Sequence, residues 1–340
     1  MTGLGILWFC LVFLLIAGYF VLDGFDLGAG VLSPFVAKTE EEKSQLRRAI
    51  GPVWDGNEVW LLTAGGGLFA AFPAAYATTF SGFYLAVMLV LFGLIVRAVA
   101  IEYAGQDPNP RWRPLWNTLF FVGSLLPALL LGVAVGNIFF GIPMNAIGDY
   151  VGVPLLGLIS IPTLLCGVLG LLLCLLQGAW WLSLKLPVGA ELRTRCVGLR
   201  RPLMIAALVV FALLTVFAVG RFDVMTANLA VLRYAAAILF VVCLVAAPFV
   251  GGSDPKNDLK GFLVSSASLV FLIVLLASSM FPTLVFSNGV GEAITIATGA
   301  ASDTALAAMT VIAGIGVPLV LIWHVVVYRT FRGRMADKEA

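Results

Sequence analysis

The ionisable side chains that could do chemistry are concentrated in the first third of the chain, in pairs three residues apart. Asp23 and Asp26 lie in Asp23-Gly24-Phe25-Asp26-Leu27-Gly28-Ala29-Gly30. Asp55 and Glu58 lie in Gly51-Pro52-Val53-Trp54-Asp55-Gly56-Asn57-Glu58-Val59-Trp60. Residues three apart share a helix face, so each pair points two carboxyls the same way. Arg97 and Glu102 follow in another apolar run. Carboxylates spaced along membrane helices can relay protons through water, and Arg97 is the cation available to balance Asp26 or Asp23. The bland reading is structural: acids in a first helical turn suit the helix dipole, and a buried acid–arginine pair can do no more than assemble helices.

Absent residue types narrow the chemistry further. His324 is the one histidine, so this chain cannot supply two histidines to a haem and lacks the donors of a zinc or copper cluster. It reads as an interfacial polar residue. Cys10, Cys166, Cys174, Cys196 and Cys243 form no CxxC pair and read as small buried hydrophobes. No Walker A or dinucleotide-binding glycine pattern appears in a soluble context. Gly24 and Gly28 make a small-xxx-small pair that lets another helix approach, and Gly65-Gly66-Gly67 reads as a packing surface. The tryptophans fall mostly near the ends of apolar runs, as an interfacial belt requires. Trp54, beside Asp55, is the functional candidate among them.

The elements that position these groups must be membrane helices. Of 340 residues 61% are hydrophobic and only 11% charged, against about 25% charged in soluble domains, and mean hydropathy is +1.06. That excludes a secreted disulfide scaffold, a nucleic-acid binder and a cytosolic enzyme. Nine stretches reach the length of a bilayer span: 4–37, 52–77, 79–103, 117–140, 153–184, 202–220, 230–250, 261–286 and 308–331. The first is too long and glycine-rich for a cleavable signal, and no basic region precedes it. The first and fifth exceed a span and are expected to tilt or protrude.

Seventeen of the twenty Lys and Arg residues fall in alternate loops or the C-terminal tail. Of the rest, Arg221 and Arg233 fall in the other loops and Arg97 within the third stretch. Basic loops mark the cytoplasmic face, so the N-terminus is expected outside and the C-terminus in the cytoplasm. The largest basic loops, 38–51 and 185–201, each follow the first helix of a set of four. The expected architecture is an all-α membrane protein of nine transmembrane helices. A first four-helix bundle (1–150) carries the intramembrane charges. A second (151–290) is nearly free of them, and a peripheral ninth helix and tail (291–340) complete the chain. At about 1.5 Å per helical residue, Asp23, Asp26, Asp55, Glu58, Arg97 and Glu102 all fall in the cytoplasmic half.

Several blocks carry a family resemblance. Asp23-Gly24-Phe25-Asp26-Leu27-Gly28, Trp54-Asp55-Gly56-Asn57-Glu58-Val59-Trp60, Thr63-Ala64-Gly65-Gly66, Phe72-Pro73-Ala74-Ala75-Tyr76-Ala77 and Phe80-Ser81-Gly82-Phe83-Tyr84 resemble subunit II of the cytochrome bd quinol oxidases, including their cyanide-insensitive relatives. Weaker agreement continues through Gly123-Ser124, Gly132-Val133-Ala134, Gly136-Asn137, Phe281-Pro282 and Ala301-Ser302-Asp303. The resemblance implies a haem-free chain in a bacterial cytoplasmic (inner) membrane. Its partner, subunit I, carries the haems b and d (or b only) and the quinol site. Some members add a small accessory membrane subunit or hold a structural quinone. The complex oxidises quinol and reduces oxygen to water with protons drawn from the cytoplasm. The resemblance also implies a proton entrance at Asp55 and a role in haem-region integrity for Asp26 and Arg97, with Trp54 beside them. Glu102 stands where the family has an acid, and Glu58 where some relatives have glutamine. A secondary transporter with its site among Asp23, Asp26 and Arg97, and a purely structural subunit, are the rival expectations.

Overall fold

Apolar runs of this length can satisfy their backbone in lipid only as helices. The computed structural model describes residues 2–107, 109–220 and 229–335, and among them places thirteen α-helices, two short 3-10 turns and one two-stranded sheet. Arg221 and Lys338, both part of the charge count, lie outside the described residues. Eight segments are long and apolar enough to cross a bilayer, counting α1 (Gly3–Leu22) and α2 (Gly24–Val36) as one. The long first stretch is thus two helices meeting at Asp23.

The second stretch differs from expectation. It divides into α4 (Trp54–Ala71) and α5 (Pro73–Gly82), after a short polar helix α3 (Glu40–Ile50). Proline starts a helix more easily than it continues one, and Pro73 opens α5. α4 has 18 residues, and its polar first turn and four glycines leave it outside the eight segments. α6 (Tyr84–Tyr103) and α7 (Trp112–Phe140) follow. The fifth stretch shortens to α8 (Ile161–Lys185), because residues before Ser160 form an irregular loop and Ser160 caps the helix. α9 (Glu191–Val219) starts eleven residues ahead of its apolar run and passes through Pro202, since hydropathy marks only the lipid-facing part of a helix. α10 (Ala230–Gly251) contains Arg233, buried and in the helix rather than in a loop. α11 (Asp258–Met280) leads to β1 (Thr283–Val285), which pairs antiparallel with β2 (Ile294–Thr295); α12 (Ile296–Gly299) and α13 (Asp303–Thr330) end the described chain.

α2 is the central element, packed between α7 and α8. Its glycines make this possible: a Cβ on Gly28 would lie 1.8 Å from the Cys174 carbonyl oxygen, and one on Gly30 1.9 Å from Ser124 Oγ. One turn before Gly28, Phe25 stacks on Trp181 at 4.1 Å. α1 packs on α4 and α11, α6 on α7, α8 on α9, α10 on α11, and α13 against α1 and α4. α3 is tied down from both ends. Arg195 of α9 pairs with Glu42, and Asn117 of α7 joins Glu40 to Arg47. Burial alone would raise the Glu40 carboxyl, but hydrogen bonds from Lys43 and Asn117 outweigh it and hold it below its usual range.

Candidate functional site

Asp23 sits at the α1–α2 junction and Asp26 in the first turn of α2, so both carboxyls reach the interior just where the rod is interrupted. Both are fully buried. α4 brings Asn57 and Glu58 to the same place, and α6 brings Arg97. Arg97 can stand this deep because Gly123 lets α7 close against the α6 backbone. A Cβ there would meet Gly93 O at 2.6 Å and Arg97 N at 2.9 Å.

Arg97 is completely buried, and one of its nitrogens serves two acids: Nη2 donates to Asp23 Oδ1 at 2.7 Å and also to Glu58 Oε1. Asp26 takes a different partner from the one its charge suggests. Asn57 Nδ2 donates to Asp26 Oδ2 at 2.7 Å. Among the described residues, Asp23 Oδ2, Asp26 Oδ1, Arg97 Nε and Arg97 Nη1 are buried with no hydrogen-bond partner. The core of the site is therefore three carboxyls around one guanidinium, drawn from three stretches of chain.

The ninth stretch closes this site from the side. Tyr328 of α13 donates its hydroxyl to Asn57 Oδ1 at 2.9 Å, completing a chain from Tyr328 through the Asn57 amide to Asp26. One turn earlier, His324 Nε2 lies 3.1 Å from Trp60 Nε1, while His324 Nδ1 lies 2.9 Å from Val320 O. The indole can only donate, so Nε2 accepts and Nδ1 carries the proton. His324 thus links α13 to α4 through Trp60. Asn57, Trp60 and Tyr328 were not singled out from sequence. Their signal is the polar pair His324/Tyr328, four apart on an otherwise apolar helix and so on one face.

The remaining predicted residues stay outside the cluster. Asp55 is exposed in the first turn of α4, Trp54 is half-buried beside it, and Glu102 is exposed near the end of α6. The second half, expected to be nearly free of intramembrane charge, holds a buried cluster near the starts of α9 and α11. Asp258, buried at the start of α11, pairs with Arg193, Arg200 and Arg334 at 2.7–2.8 Å. Among the described residues, no three His, Cys, Asp or Glu side chains converge as a metal site would require.

Comparison with known proteins adds an independent line. The sequence profile of the family described as cytochrome bd terminal oxidase subunit II matches residues 4–331. Cytochrome bd ubiquinol oxidase subunit 2 of Bacillus subtilis is 33% identical over 351 residues, covering 100% of this chain and 99% of the relative. Cytochrome bd-I ubiquinol oxidase subunit 2 of Escherichia coli K12 is 33% identical over 364 residues, covering 98% and 95%. A chain in the structure of the bd oxidase from Geobacillus thermodenitrificans superposes with a TM-score of 0.79 at 18% identity, over 97% of this chain and 99% of that one. At that identity the superposition speaks for the fold.

Proposed function

The chain belongs to the cytochrome bd terminal oxidase subunit II family, and on that premise we infer that its carboxyl cluster takes protons from the cytoplasm toward the oxygen-reducing site in subunit I. As a subunit of a quinol-oxidising oxidoreductase it is not catalytic alone. The observation that carries the proton reading is the imbalance of Asp23, Asp26 and Glu58 around Arg97 in a buried position. Such a group approaches neutrality only by binding protons, because unpaired charge in low dielectric costs several kcal/mol. Asp55 lies on the exposed side of Glu58, one helical turn away, where it can meet water and pass a proton inward. Glu102 is a second acid at the rim.

In the same scheme the haems b and d, or b alone, and the quinol site belong to subunit I. This chain stabilises that partner and holds protons. α4 serves as the additional spanning segment that makes nine. The N-terminus faces outward in a bacterial inner membrane, and 1–150, 151–290 and 291–340 act as two four-helix bundles and a peripheral helix. The mostly exposed α13 offers a surface to a small accessory subunit. A cavity of about 260 Å³ among α7–α11, lined by Phe139, Leu173, Phe211 and Leu272 with Arg233, Thr215, Tyr234 and Ser279 among its polar groups, suits the ring of an isoprenoid quinone.

A second reading has its own support: Arg97 bridges three helical segments, as a purely structural ion pair would. Asp55→Asn with Glu58→Gln separates the two, since Asp23 remains to hold Arg97. A proton path predicts quinol oxidase turnover reduced at least tenfold with haem content and subunit association intact. Full turnover by an assembled double variant leaves the structural reading.

A further inference from the structure

A surplus of positive charge gathers where α8, α9 and α11 meet the segment after α13. Asp258 is fully buried and is shared by Arg193, Arg200 and Arg334, so one carboxylate faces three guanidiniums. Arg334 also donates to the carbonyls of Ser183, Leu186 and Pro255 at 2.6–2.9 Å. Lys185 adds a further cation whose partners are neutral: its Nζ donates to Phe331 O at 2.5 Å and lies 4.8 Å from the Trp181 ring. The Met335 N–H returns to Lys185 O at 2.9 Å, so residues 331–335 are strapped across the end of α8.

Between this strap and the turn ahead of α4 lies a pocket of about 690 Å³. Arg48, Lys185, Arg332 and Arg334 line it, and no carboxylate is among its described lining residues. The buried Val53 and Trp181 form part of its wall. The geometry points to a binding site for the phosphate headgroup of an anionic glycerophospholipid. The pocket sits at the ends of membrane-spanning helices, at the level where lipid phosphates lie, and basic pockets at that level on the cytoplasmic side recognise anionic headgroups. The neighbouring face of α13 is apolar and exposed, with Trp323 at 63% and Val326 at 50%, so acyl chains can run beside it while the headgroup is held. A soluble phosphate compound would use the cations but not that apolar face. Bound there, the lipid would clamp the strap, and with it α13, to the end of α8.

The test uses the purified, delipidated oxidase complex and native mass spectrometry with added dioleoyl-phosphatidylglycerol, dioleoyl-phosphatidylcholine or inorganic phosphate. Arg332→Gln changes an exposed side chain; Lys185→Gln/Arg332→Gln removes two of the four lining cations. At about fivefold per juxtamembrane cation, the single variant should retain phosphatidylglycerol about fivefold less well and the double variant about 25-fold less well. Phosphatidylcholine retention and the haem spectrum should not change. Equal retention of the two lipids by the unaltered complex, or phosphatidylglycerol retention unaffected in both variants, overturns the site. Displacement of phosphatidylglycerol by millimolar phosphate as effectively as by more phosphatidylglycerol would assign the pocket to free phosphate instead.

Discussion

Removing the guanidinium from the carboxyl cluster should disassemble the oxidase in a pH-dependent way. Arg97→Ala takes away the partner of Asp23 and Glu58 and leaves Asp23, fully buried, without a cation. Breaking a buried pair by deleting one member costs about 3–5 kcal/mol, or roughly two to four orders of magnitude in an assembly equilibrium. The variant can escape part of this cost by keeping one more proton on the cluster than the parent does. Its assembled state then binds one proton more, relative to the unassembled state, so stability falls as pH rises, by about 1.4 kcal/mol per unit. From pH 8 to pH 6 the variant should regain at most about 2.7 kcal/mol relative to the parent, the limit for one proton. Haem absorbance per mole of this subunit, measured in membranes equilibrated at the two pH values, reads the assembled fraction. Asp23→Asn placed on Arg97→Ala removes the stranded charge and should restore much of the haem. Normal haem content in Arg97→Ala at both pH values, or a double variant worse than the single one, would refute the argument that an unpaired buried charge is what matters.

Other perturbations follow from the same contacts. Gly28→Leu should prevent stable assembly, because even a Cβ there would lie 1.8 Å from the Cys174 carbonyl oxygen; size-exclusion chromatography of the complex reports it. Tyr328→Phe leaves Asn57 Oδ1 without its donor and should cost about 1–3 kcal/mol, seen as a lower thermal midpoint, while His324→Ala should leave every haem band in place. Reporters fused after Lys256 and within Asn288–Glu292 should read cytoplasmic and external respectively, as the alternation of basic loops requires; the reverse would break the nine-span topology.

The sequence by itself determined that this is a membrane protein, where most of its helices run and which family it belongs to. Composition and run length settle the first two because lipid leaves the backbone no alternative to helices, and the Asp23–Gly28 and Trp54–Trp60 blocks carry the third. It also marked Asp23, Asp26, Asp55, Glu58, Arg97 and Glu102 as a group, since charges in apolar runs are too costly to be incidental, whereas the structure leaves Asp55 and Glu102 exposed outside the cluster. Pairing was decided only by tertiary structure. Arg97 could have met either aspartate, yet it holds Asp23 and Glu58 while Asn57 donates to one oxygen of Asp26. Which carboxyl a guanidinium reaches depends on how far α6 closes on α7 and on the break at Asp23, and both are set by contacts with residues such as Gly123 that lie distant in sequence. The same holds for His324 and Tyr328, more than 260 positions from Trp60 and Asn57, and for Asp258, whose three arginines come from α9 and the tail. Hydropathy registers the depth of a residue along its own helix. The partner it finds there depends on the rotation and packing of other helices, and that information lies in no single stretch of sequence.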